Sequence, residues 1–149
     1  ILDYDTVALN EEKNALVIID QTKLPYSIEI LELTDLKEIW DAIYLLKVRG
    51  APAIGVTAAI AIYLEARKIA MEANDFDGFY KKFVEAKEYL DSSRPTAVNL
   101  SWAFNRMDDV VKKNKDKNVI TITDSSLKIA PWTPATSTSP VATYLNDNV

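Results

Sequence analysis

Hydrophobic positions follow a two-residue period at the front of the chain and a helical period through its middle. Ala15 to Asp20 (Ala-Leu-Val-Ile-Ile-Asp) is a short β-branched run that predicts a strand. Gln21 to Tyr26 holds Pro25 and predicts a turn. Ser27 to Leu33 alternates Ile28 and Ile30 with polar residues, which predicts a second strand paired antiparallel with the first. Leu2 to Leu9 predicts a further edge strand. Thr34 then suits an N-cap, with Asp35 and Glu38 in the first turn. Leu36, Ile39, Trp40, Ile43, Tyr44 and Lys47 form a helical stripe to about Lys47, and Gly50 then breaks the pattern. Pro52 suits the first turn of the next helix, expected to run to about Asn74. Through Leu64 that helix is apolar nearly all round, the pattern of a helix in the middle of a core. Gly55 within it costs about 1 kcal/mol against alanine. Either close packing on a neighbouring helix or close approach of a ligand would explain it.

Asn74 to Gly78 predicts a turn with capping residues. Phe76, Phe79, Tyr80, Phe83, Ala86 and Leu90 share one face of a third helix ending near Asp91 to Ser93. Thr96 to about Lys113 predicts a fourth, with Leu100, Ala103, Phe104, Met107 and Val111 on one side. The pattern changes after Lys117. Val119 to Thr123 predicts one strand, and Asp124 to Val149, with Pro131, Pro134 and Pro140 among many Ser and Thr, predicts an extended or poorly ordered tail. The fold class expected is α+β: a small antiparallel sheet, then a bundle of about four helices, then an extended C-terminal tail. The division expected is a sheet-plus-helices domain over 1–117 and a strand with a Pro/Ser/Thr-rich tail over 118–149.

The chain has 149 residues, with 48% hydrophobic and 26% charged, ordinary for a soluble globular protein. Cys 0 excludes a disulfide, a thiolate zinc site and a thiol nucleophile. His 0 removes the usual neutral-pH proton shuttle and the commonest metal ligand. Neither a metal nor a cofactor is expected. Gly 3 rules out a dinucleotide fingerprint or a Walker loop, and a serine triad fails for want of histidine. A net charge of −5 disfavours nucleic acid as a partner. Lys112, Lys113, Lys115 and Lys117 suit a solvated helix end. The run Ala51 to Leu64 falls short of the ~20 residues that span a bilayer. No membrane association and a cytoplasmic address are therefore expected. The chain starts at Ile1 rather than Met, so a trimmed or partial chain is expected.

Two stretches carry candidate chemistry. Val48-Arg49-Gly50-Ala51-Pro52-Ala53-Ile54-Gly55 and Ser92-Ser93-Arg94-Pro95-Thr96-Ala97-Val98-Asn99-Leu100 each place an arginine and a proline at a helix start. Unpaired N–H groups and the positive dipole end attract anions there. An arginine fork at each makes a two-sided phosphate clamp. Ordinary helix-terminus ion pairs would explain Arg49 and Arg94 equally. Asn99 and Trp102 lie on the turns after Arg94, within reach of a ligand, although Trp102 also suits the core. Asp20-Gln21-Thr22 suits a turn with side-chain caps. The carboxylate pairs Asp108–Asp109 and Glu11–Glu12 suit solvated surface.

These stretches occur in order with Ile19-Asp20-Gln21-Thr22, Leu24-Pro25, Trp102-Ala103 and Arg106-Met107. The set resembles the N-terminal region of the S-methyl-5-thioribose-1-phosphate isomerases of methionine salvage and methionine biosynthesis. That family is related to regulatory subunits of the translation-initiation nucleotide exchange factor and to ribose-1,5-bisphosphate isomerase. The resemblance covers roughly Val7 to Met107. It implies conversion of an aldose phosphate to a ketose phosphate, by ring opening and hydrogen transfer between adjacent carbons. It also implies substrate-binding roles for Arg49, Gly50, Ala51 and Arg94, and a homodimer for the full-length family. The family's catalytic cysteine and aspartate lie in Cys-Asn and Gly-Ala-Asp-Arg blocks of a C-terminal Rossmann-like domain. Neither block occurs here, so no catalytic residue is assigned and the chain alone is expected to be inactive. The alternative is a non-catalytic protein-interaction domain like those of the exchange-factor subunits, marked by an exposed apolar patch on the Phe76–Leu90 helix.

Overall fold

A computed structural model describes residues 7–127. Strands β1 (Val7–Asn10), β2 (Ala15–Ile19) and β3 (Ile30–Leu33) form an antiparallel sheet in the order β1-β2-β3. Val7 sits opposite Ile18, and Ile19 opposite Ile30. Asn14 takes the left-handed conformation (φ 51°) that closes the first hairpin, a conformation asparagine tolerates. The two expected strands and the edge strand are present. The third spans only Ile30–Leu33, because residues 21–29 form the loop that contains the cis peptide Leu24–Pro25. Residues 2–6 of the expected edge strand lie outside the described residues.

Four long helices follow: α1 (Leu36–Tyr44), α2 (Ala51–Glu72), α3 (Phe76–Asp91) and α4 (Val98–Lys113). Every residue of α2 from Ile54 to Leu64 is buried. This helix packs against α1, α3, α4, β1 and β2, which explains why it carries no polar stripe. Its buried Thr57 hydroxyl donates back to the Ala53 carbonyl at 2.8 Å. Phe79, Phe83, Ala86 and Leu90 of α3, and Leu100, Ala103, Phe104, Met107 and Val111 of α4, complete the core. The apolar face of α3 is thus covered by the fold.

Several expectations need correction. The N-cap of α1 is Asp35 rather than Thr34, and the helix stops at Tyr44 rather than Lys47. Leu46 takes φ 60°, its N–H donates to the Ile43 carbonyl, and the Lys47 N–H donates to Ala42. That pair of bonds is a Schellman closure, with leucine where glycine is usual. Asp108 is buried, not solvated: it is 6% exposed. Tyr80 Oη donates to its Oδ1 at 2.8 Å and Lys87 Nζ to its Oδ2 at 3.0 Å, which ties α4 to α3. Val119–Thr123 is helical, with a short turn α5 (Val119–Thr121) followed by a π-helical stretch Ile122–Leu127. The Asn118 side chain caps this segment by accepting from the Ile120 N–H, and Ile122 and Leu127 are buried in the core. A cap and tertiary burial therefore override the β-branched preference of the run. Asp124–Leu127 belong to that stretch, and the rest of the expected tail, 128–149, lies outside the described residues.

Candidate functional site

Two links between helices converge on one cavity. The first, between α1 and α2, is held from below. The Gln21 N–H donates to the Lys47 carbonyl at 2.9 Å, and Val48 is buried. Gln21 belongs to the turn after β2, where Thr22 donates both its N–H and its hydroxyl to Asp20 Oδ1. Burial pushes the Asp20 carboxyl up, but these hydrogen bonds, with Lys47 and Lys23, outweigh it and hold it below its ordinary value. The expected capped turn is there. Gly50 then opens α2 with φ 92°. A Cβ built on Gly50 would meet nothing within 4 Å, so the backbone angle, not crowding, requires glycine.

The second link joins α3 to α4. Ser92 Oγ donates to the Tyr89 carbonyl and accepts from Trp40 Nε1 at 3.0 Å. Ser101 Oγ donates to Asp91 Oδ1 at 2.7 Å, clamping the first turn of α4 to the end of α3. The Ala97 N–H donates to the Arg94 carbonyl at 3.0 Å, closing a β-turn with Pro95 at its second position. Helix α4 therefore starts at Val98, two residues later than expected, and Pro95 lies before it rather than in its first turn.

Gly50, Ala51 and Ile54 of the α2 start and Arg94, Ala97, Val98 and Asn99 of the α4 start line a cavity of about 410 Å³. Three of the four expected binding residues, Gly50, Ala51 and Arg94, meet there. Arg49 is exposed beside Gly50 and not in the wall, with its Nε donating to the Leu46 carbonyl at 3.3 Å. Asn99 joins the wall as a buried residue. Trp102 lies half-buried further along α4, under the Arg106 guanidinium at 5.8 Å.

The helix ends at this cavity differ from the others. Helix α3 has Asp75 as a side-chain cap and Asp77 in its first turn, α5 is capped by Asn118, and α1 carries Glu38 in its first turn. Neither α2 nor α4 has a side-chain cap or a first-turn acid. Their positive ends thus carry neither a capping side chain nor an acid of their own first turn. Two such ends and one guanidinium around one cavity suit a phosphate. Among the described residues no group of His, Cys, Asp and Glu is placed to hold a metal ion, and no helix is long and apolar enough to cross a membrane.

The Initiation factor 2 subunit family matches residues 47–130, which include every residue lining the cavity. The chain belongs to that family. Proteins similar to it include a methylthioribose-1-phosphate isomerase of Symbiobacterium thermophilum, 47% identical over 115 residues. That match covers 77% of this chain and 32% of the relative. A 5-deoxyribose 1-phosphate isomerase of Petrotoga mobilis is 50% identical over 113 residues, 76% of this chain and 32% of the relative. Among solved structures, 5-methylthioribose 1-phosphate isomerase from Pyrococcus horikoshii superposes with a TM-score of 0.76 at 32% identity, over 84% of this chain and 34% of that one. Translation initiation factor eIF-2B, subunit delta, from A. fulgidus gives a TM-score of 0.69 at 33% identity, over 85% and 36%. The chain therefore spans about a third of the length of the relatives it matches.

Proposed function

We propose that this chain is the N-terminal part of an aldose–ketose isomerase acting on 5-methylthioribose 1-phosphate, and that it supplies sugar-phosphate binding. The observation that carries this is the single cavity joining Gly50, Ala51 and Arg94 to the uncapped starts of α2 and α4. The names of the similar isomerases supply the substrate class. In this reading the phosphate lies between the two helix ends, Arg94 pairs with it, and Gly50 lets the backbone approach it. Arg49 closes on it from the rim. No residue of the chain is assigned to hydrogen transfer; that chemistry falls to a part of the protein beyond the matched region. The address is cytoplasmic, and a homodimer is the assembly expected of the full-length protein.

A calorimetric titration with methylthioribose 1-phosphate tests this. One charged hydrogen bond stabilises by ~1.5–3 kcal/mol, so Arg94→Ala should weaken binding by roughly tenfold to a hundredfold. Unchanged affinity in both Arg94→Ala and Arg49→Ala would sink the clamp. The interaction-domain reading gains nothing from α3, whose Phe79, Phe83, Ala86 and Leu90 are buried.

A further inference from the structure

Asn99 is the second residue of α4, 6% exposed, in the wall of the Gly50–Arg94 cavity. Its Nδ2 is shielded from solvent and has no hydrogen-bond partner. A buried amide donor without an acceptor is unfavourable, and most such groups are paired. Other buried polar side chains nearby are satisfied within the fold: Ser93 donates to the Leu90 carbonyl, and Thr57 to the Ala53 carbonyl. Asn99 differs from them in lining the cavity. The cavity already holds what an anion needs, in two helix ends and Arg94. A neutral carboxamide adds little to that charge. It offers a donor and an acceptor side by side, which matches a hydroxyl, itself both donor and acceptor. Its place on the first turn of α4 puts it beside the N–H groups that would take a phosphate.

We propose that Asn99 is a specificity-determining residue that hydrogen-bonds a sugar hydroxyl beside the phosphate, so that the cavity distinguishes a sugar phosphate from phosphate alone. The proposal rests on the sugar-phosphate reading of the site. Its consequence is a division of labour: Arg94 and the helix ends hold the anion, and Asn99 reads the sugar. A residue built to pair with a hydroxyl discriminates strongly against ligands that lack one, because its own polar atoms are then left unpaired.

The test compares inorganic phosphate and methylthioribose 1-phosphate as ligands of the whole chain, by calorimetry, with thermal unfolding alongside. Asn99→Ala removes the carboxamide, and Asn99→Leu removes it while keeping the volume filled. Both should retain the parent unfolding temperature to within a few degrees, since no internal hydrogen bond is lost. Both should leave phosphate affinity unchanged and weaken sugar-phosphate binding about tenfold, which is about 1.4 kcal/mol. Arg94→Ala should weaken both ligands. Full sugar-phosphate affinity in both Asn99 variants overturns the proposal and leaves the phosphate site standing. An equal loss for both ligands overturns it as well, since Asn99 would then serve the anion or the shape of the wall. If the parent chain binds neither ligand, the phosphate site fails and Asn99 fails with it.

Discussion

Leu46 and Gly50 show how single residues set the first link. Both have positive φ, at 60° and 92°, and only Gly50, which has no Cβ, adopts it without strain. Leucine in the left-handed region costs roughly 1–2 kcal/mol. Leu46→Gly should therefore stabilise the chain by about 1 kcal/mol once the lost packing of a side chain that is 39% exposed is subtracted. Urea unfolding would read this directly, and a lower midpoint would count against the left-handed closure. Gly50 was legible in the sequence as a break between two helices. The strain at Leu46 was not, because nothing local marks a leucine as the residue that closes a Schellman turn.

Each helix carries its own electrostatic record. The starts of α2 and α4 lack the first-turn acids that the other long helices carry, and at the proposed site this is a cost in helix stability. Val98 is 77% exposed at the first position of α4. Val98→Asp should stabilise the helix by ~0.3–1 kcal/mol and at the same time repel a phosphate from the cavity. A raised melting temperature with lost sugar-phosphate binding is the expected pair of results; stronger binding would contradict the proposed site. Between α3 and α4, burial pushes the Asp108 carboxyl up. Hydrogen bonds from Lys87 and Tyr80 and the charges of Lys87 and Lys112 outweigh that and hold it below its ordinary value. A depressed folded-state value means that its stabilisation is complete above the unfolded aspartate pKa of ~3.9 and is lost as pH falls through the lower folded one. Asp20, also lowered, adds to the same acid loss. Asp108→Asn should destabilise by about 3 kcal/mol at neutral pH, because Lys87 is left half-hidden without its partner. Its stability curve should also be flatter below pH 4 than that of the parent, as acid denaturation would show.

Among the described residues, one core spans the sheet, all four long helices and the segment 118–127. Ile122 and Leu127 are fully buried, and α5 and the π-helical stretch pack on α2. Ile122→Ala should cost about 2–5 kcal/mol, as a core truncation does. Chemical denaturation followed by both aromatic fluorescence and circular dichroism would measure it. A cost near zero would mean that this segment folds apart from the rest. The same packing positions the site, since α2 and α4 lie against each other and their starts share one cavity.

The sequence by itself determined the three strands of the sheet, the four long helices and the two arginine-bearing links, because period, caps and breakers act within a few residues. It also determined which chemistries were closed to the chain, through its lack of histidine and cysteine. Tertiary structure alone decided that Gly50, Ala51 and Arg94 line one cavity while Arg49 stays outside its wall, because residues more than 40 positions apart meet only when α2 packs on α4. It likewise decided the burial of Asp108, whose partners Tyr80 and Lys87 lie on another helix. It turned Val119–Thr123 from a strand into a helical turn, since the free energy of burying Ile122 and Leu127 exceeds what a local β preference can hold.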